Sequence, residues 1–267
     1  MAERKRFERR ELVKVLEQTG ENVNKETSAY LIGGLNMILD GFKTTTKDVD
    51  LVFSDEGSVK RFVRASEKAG FTKVKKLETD YRDLYAWMVL ETTSGMRFDI
   101  FCRQVCGGLV LSNGMMARSD ERLRFGALTI KSCSSEDIFL FKSITSRPDD
   151  LMDMRALLGR AIDWKIIENE VRSQPDSWKW IGRLYGRLLE LRDAYDIKSP
   201  LIGTLEPEAE LSQAMGILLS HIEKEPISKS DAVSILENDG ALTTTSLKKL
   251  KLLGLVASDK GKYRLAK

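Results

Sequence analysis

Residues 30–53 read YLIGGLNMILDGFKTTTKDVDLVF. The apolar run 29–32 predicts a strand, and Gly33-Gly34 predicts a tight turn after it. Residues 35–39 fit a short helix closed by Asp40-Gly41, and 49–53 fit a second strand. Side chains alternate along a strand, so Asp48 and Asp50 fall on one face while Val49 and Leu51 anchor the other in a core. Two adjacent carboxylates repel each other, and a divalent cation compensates them. Mg²⁺ prefers such hard oxygen ligands.

Outward from this stretch, 57–69 predicts a helix bearing Lys60, Arg61, Arg64 and Lys68, with Val59, Phe62 and Val63 inward. The runs 84–91 and 96–101, separated by Thr92-Thr93-Ser94-Gly95, predict a hairpin. Its second strand carries Asp99 between Phe98 and Ile100. An acid in an apolar strand is costly unless it is paired or bound to metal. If that strand lies beside 48–51, three carboxylates converge. Such a set can hold two Mg²⁺ ions, one activating a hydroxyl nucleophile and one clamping a triphosphate. The Gly33-Gly34 turn lets backbone approach phosphate closely, and the helix after it directs amides there.

Towards the N-terminus, 3–18 predicts a charged amphipathic helix with Phe7, Leu12, Val15 and Leu16 as its apolar stripe. Downstream, 128–130 fits a strand, and Ser134 or Ser135 caps a helix with Ile138, Phe139, Phe141 and Ile144. Helices follow at 148–160, 163–173 and 177–195. Asp149, Asp150 and Asp153 fit a solvated helix start, where acids favour the dipole, and Lys142 fits either an exposed helix face or a phosphate contact. The tryptophans 164, 178 and 180 fit helix packing. His221 and the three cysteines supply no plausible metal set.

These residues resemble the nucleotidyltransferase superfamily that includes DNA polymerase beta, kanamycin nucleotidyltransferase and CCA-adding enzymes. The resemblance covers about 28–160 and extends to the helix pair bearing Lys142, Arg147, Asp150 and Asp153, as in small prokaryotic members. Some of those belong to toxin–antitoxin or abortive-infection systems. The resemblance implies Mg²⁺-dependent, ATP-type chemistry: transfer of NMP from an NTP to a hydroxyl. It implies Asp48, Asp50 and Asp99 as metal ligands, with Asp99 also the general base. Gly33, Gly34, Thr46 and Lys142 are implied as NTP contacts. Many members carry Gly-Ser at the turn; Gly-Gly here matches the CCA-adding relatives.

The C-terminal part reads as a separate module. Residues 199–207 carry Pro and Gly punctuation and predict a linker. Helices at 208–223, 228–237 and 243–253, the last capped by a threonine of 243–245, and strands at 255–257 and 263–265 spell a winged helix-turn-helix. Residues 242–267 hold seven basic residues and one acid. Lys248, Lys249 and Lys251 on the third helix and Lys260, Lys262 and Arg264 on the wing are the candidate nucleic-acid contacts. Residues 60–76, with seven basic residues and one acid, are a second candidate RNA surface.

The expectation is therefore an α+β fold: a mixed-sheet core with its N-terminal helix over 1–132, a helical extension over 133–198 and a winged helix over 208–267. The expected acceptor is RNA, a tRNA end or a protein, with DNA as a possible ligand of the wing and a homodimer as a possible assembly. A non-enzymatic DNA-binding regulator on a silent fold, or a small-molecule adenylyltransferase, are the alternatives. No apolar run reaches the roughly 18 residues of a spanning helix, and the charged start shows no signal peptide. A cytoplasmic protein that touches no membrane is the expectation.

Overall fold

In the computed structural model, which describes residues 4–75, 85–145 and 147–266, the chain divides into two compact units, Met1–Pro175 and Asp176–Lys267. The first unit contains strands β1 (Phe7–Glu8), β2 (Thr27–Leu31), β3 (Thr45–Thr46), β4 (Asp48–Phe53), β5 (Thr72–Lys73), β6 (Met88–Glu91), β7 (Arg97–Cys102), β8 (Gln104–Val105), β9 (Leu109–Val110), β10 (Asp120–Phe125) and β11 (Leu128–Ser132). Its helices are α1 (Arg9–Gly20), α2 (Gly34–Leu39), α3 (Glu56–Lys68), α4 (Asn113–Arg118), α5 (Ser135–Ser143), α6 (Pro148–Leu157) and α7 (Trp164–Ser173).

A seven-stranded mixed sheet runs in the order β10-β11-β2-β4-β7-β6-β5. Strand β4 is its organising element. It pairs antiparallel with β2 and parallel with β7, in a register that sets Asp50 beside Asp99, and Val49 and Leu51 beside Phe98 and Ile100. Neighbours in register share a face. One face is therefore apolar: Val49, Leu51, Phe53, Phe98 and Ile100 are buried with Leu12, Leu16, Val59 and Phe62 of α1 and α3. Phe62 lies 5.1 Å from Phe53 and 5.2 Å from Phe98, ring to ring, and holds α3 on the sheet. The other face carries the carboxylates.

The N-terminal helix begins later than expected. Phe7 is buried, and β1 pairs with β3, Phe7 opposite Thr46, so Phe7 and Glu8 are extended. The backbone N–H of Glu8 donates to Glu11 at the helix start, 3.0 Å. Four expectations reach outside the described residues: helix position Glu3, basic residues Lys76 and Lys267, and strand start Leu84.

The second unit contains α8 (Ile181–Tyr195), α9 (Leu201–Ile222), β12 (Ile227–Ser228), α10 (Lys229–Ile235), α11 (Gly240–Leu252), β13 (Val256–Asp259) and β14 (Lys262–Leu265). The expected linker 199–207 is instead the start of α9, with Pro207 inside the helix. Leu201, Leu205 and Ala209 recur at helical spacing and are buried, and that burial outweighs the cost of roughly 3 kcal/mol for an internal proline. The division of the chain accordingly falls at 175/176, not at 132/133 or in 199–207. Helix α11 starts at Gly240, capped by Asp239 accepting from the Leu242 N–H at 2.8 Å, rather than at a threonine. Strand β12 adds to the β13–β14 hairpin as a third strand, which the sequence reading did not anticipate. Among the described residues no helix is long and apolar enough to cross a membrane.

Candidate active site

Strands β4 and β7 bring the three aspartates together. Asp48, Asp50 and Asp99 each offer a carboxylate oxygen, all within 4.8 Å of one another. Asp99 is fully buried, and neither of its carboxylate oxygens has a hydrogen-bond partner among the described residues. Orphaned anionic oxygens at a buried position cost several kcal/mol unless a cation or proton completes them. A divalent metal fits this donor set: hard oxygens only, pre-gathered, with lone pairs unspent. Burial, then the charges of Asp48 and Asp50, push the Asp99 carboxyl well above its ordinary range. Burial and then Asp48 raise Asp50 to about 6, while Lys142 and Arg147 pull the other way.

This has a thermodynamic consequence. A carboxyl raised in the folded state binds its proton more tightly there than in the unfolded chain. In metal-free protein its contribution to stability is present below about pH 4 and is lost as pH rises through about 6. Metal-free Asp50→Asn should lack this loss, so its stability relative to wild type should improve between pH 4 and 7, by on the order of 2 kcal/mol. Paired thermal melts across that range check it; parallel curves would show that Asp50 is not held this way.

The glycine turn has a second reason beyond phosphate access. A β-carbon on Gly33 would overlap the Asp50 carboxylate, and one on Gly34 would overlap the Thr46 hydroxyl. The two glycines let β4 and the residues before it pack their polar groups against the start of α2. Gly33→Ala should displace Asp50, destabilise the protein by about 1–3 kcal/mol and weaken divalent-metal binding at least tenfold. Calorimetric metal titration of the variant is the check, and wild-type affinity would contradict it.

Around the carboxylates lies a cleft of about 330 Å³ that Gly34, Thr46, Asp48, Asp50 and Lys142 help to line. Gly33 borders an adjoining small hollow together with Asp50, Lys142 and Arg147. All seven expected residues of the catalytic unit thus gather in one place. Lys142 is not an exposed helix residue. Its side chain is 13% exposed, and its Nζ donates to Asp150 at 2.6 Å and lies 2.9 Å from Asp153. Burial opposes its charge, but Asp150, Asp153 and Asp50 raise its pKa. Asp150 and Asp153 are likewise buried, contrary to the solvated helix start expected for them. Lys43 donates to Asp153 at 2.7 Å, and the Thr145 hydroxyl donates to Asp150. Burial would raise Asp150, yet Lys142, Thr145 and Arg147 hold it below its usual range.

Sequence reasoning missed Arg4, Lys43 and Arg147 as cleft residues. Arg4 Nη1 donates to Asp48 at 3.0 Å, and the Arg147 guanidinium faces Asp50, Asp150, Asp48 and Asp99. The spacing of Asp150 and Asp153, three apart on a helix and hence on one face, was the available signal for the second acidic pair. In the second unit, Lys248, Lys249, Lys251, Lys260, Lys262 and Arg264 are all exposed. Lys248 and Lys251 flank a surface hollow with Lys229 and Tyr263, whereas Arg264 lies 3.4 Å from Asp259.

No family model matches the chain, and no curated protein matches it. Two solved Helicobacter pylori structures are similar to it. One, provisionally named a nucleotidyltransferase, is 13% identical and covers 92% of this chain and 96% of its own, at a TM-score of 0.38. The other, JHP933, is 13% identical and covers 92% and 94%, at 0.36. Both superpositions are loose, and the functional reading rests on the geometry of the cleft.

Proposed function

We propose that the chain is a nucleotidyltransferase that moves an NMP from an NTP to a hydroxyl acceptor. The observation that carries this reading is the convergence of Asp48, Asp50 and Asp99, with both Asp99 oxygens unsatisfied among the described residues, beside a cleft rimmed by Arg4, Lys43, Lys142 and Arg147. Asp48, Asp50 and Asp99 would hold Mg²⁺, which supplies charge neutralisation at the triphosphate and at the attacking oxygen. Asp99 accepts the proton of the acceptor hydroxyl, whose oxygen bonds to the α-phosphorus. The α–β phosphoanhydride bond breaks, and pyrophosphate leaves with its electron pair. Lys142 and Arg147 supply fixed positive charge to the phosphates. Gly33, Gly34 and Thr46 shape the wall against which the triphosphate lies.

The acceptor class proposed is RNA, a tRNA end or a protein hydroxyl. The order α9-β12-α10-α11-β13-β14 and the exposed lysines of α11 support reading the C-terminal part of the second unit as a winged helix-turn-helix that meets nucleic acid phosphates. Those lysines also favour a second reading, a DNA-binding regulator with a silent catalytic unit. Incubation with α-labelled and γ-labelled NTPs, Mg²⁺ and cellular RNA and protein separates the two. Label transferred from the α position alone supports the transferase. No transfer, together with salt-sensitive DNA binding, supports the regulator.

A further inference from the structure

The N-terminal basic helix has no part in the chemistry above, yet its exposed face lines a groove that shares Lys43 with the cleft. Leu12 and Leu16 bury one side of α1, which leaves Arg9, Arg10 and Lys14 on the outer side. No acid among the described residues pairs with any of the three. Together with Val13, Ile38 and Lys43 they line a groove of about 900 Å³, larger than the cleft of about 330 Å³. Lys43 lines both, so the groove and the cleft lie on either side of the lysine that also contacts Asp153. Among the described residues Glu8 and Glu17 are its only acids, one at each end of the α1 stretch, which leaves the groove with net positive charge. Arg10 and Lys14 stand one turn apart, about 6 Å along the axis, a step comparable to that between phosphates on an extended strand. Val13, Ile38 and Leu123 offer an apolar strip beside these cations, against which the apolar faces of bases can pack.

We infer that this groove seats the terminal nucleotides of a single-stranded nucleic acid, so that its 3′ hydroxyl enters the carboxylate cleft as the acceptor. This deepens the transferase reading and rests on it. Charge complementarity favours a polyanion over a protein acceptor: three cations without an acidic partner among the described residues suit successive phosphates and no particular side chain.

The test is fluorescence anisotropy with a labelled mixed-sequence single-stranded RNA and a DNA of the same sequence. The full chain carries Lys248→Ala, Lys249→Ala and Lys251→Ala throughout, to silence the second unit. Adding Arg9→Ala, Arg10→Ala and Lys14→Ala should weaken binding at least tenfold near 0.1 M salt. It should also make the slope of log K against log salt shallower by about 2, since each phosphate contact on a single strand contributes roughly 0.7. Lysine at positions 9 and 10, with Lys14 retained, should restore most of the affinity, which a merely structural role would not. The tighter of the two oligonucleotides names the acceptor. Unchanged affinity and slope, or no oligonucleotide binding by the parent, would overturn the groove. Binding of a fluorescent NTP with Mg²⁺ is measured on the same proteins and should be unaffected by the groove substitutions. Its absence in the parent would instead overturn the transferase reading, and the oligonucleotide data would still decide the groove.

Discussion

Asp99→Asn, Asp48→Asn and Asp50→Asn should each reduce NMP transfer by about a thousandfold or more while leaving the fold intact. Asparagine keeps the volume but loses the charge that holds a cation and, at Asp99, the basicity that takes the proton. The hydrogen bonding survives the change: at position 48 an amide oxygen can still accept from Arg4. Asp99 makes no hydrogen bond among the described residues, and burial followed by the neighbouring carboxylates holds Asp99 and Asp50 above their ordinary range, so the metal-free site is strained by desolvation and like charge. The variants should therefore melt at or above the wild-type temperature without metal. Wild-type transfer rates in any of the three would remove that residue from the chemistry. A fall in melting temperature matching the loss of activity would show a structural role instead.

Lys142→Met should have the largest effect on stability, a loss of about 3 kcal/mol. The lysine is the charge that makes two buried acids tolerable: it contacts Asp150 at 2.6 Å and Asp153 at 2.9 Å. Methionine fills the volume but leaves those carboxylates, among the described residues, with Lys43, Thr145 and Arg147. Removing one partner of a buried pair costs far more than the pair contributes, because the surviving charge stays desolvated. Part of the stability should return with Asp150→Asn in the Lys142→Met background. Urea denaturation of the single and double variants measures this coupling, and additive effects would place Lys142 outside the network.

The arrangement of the carboxylates was legible because strand alternation is local. Asp48 and Asp50 two apart, with Val49 and Leu51 between and after them, fix a polar and an apolar face before any partner is known. Asp99 was legible for the same reason, but only the parallel register of β4 and β7 sets it beside Asp50. What was not legible depended on distant pairing. Arg4 reads as the start of a charged helix, and becomes a site residue because Phe7 is buried and β1 pairs with β3. Asp150 and Asp153 carry a helix-start signature that is correct for α6 and silent about Lys43 and Lys142, which reach them from elsewhere. Pro200, Gly203 and Pro207 punctuate a linker by composition. The buried stripe of Leu201, Leu205 and Ala209 overrides them.

Anomalous diffraction from crystals grown with Mn²⁺ and a non-hydrolysable NTP tests the central claim most directly. Mn²⁺ takes the same oxygen ligands as Mg²⁺ and is located by its own scattering. The expected result is anomalous density bounded by Asp48, Asp50 and Asp99, with the triphosphate running towards Lys142 and Arg147. An ordered NTP with its metal elsewhere, or a fully occupied nucleotide with no density between the three aspartates, would contradict it.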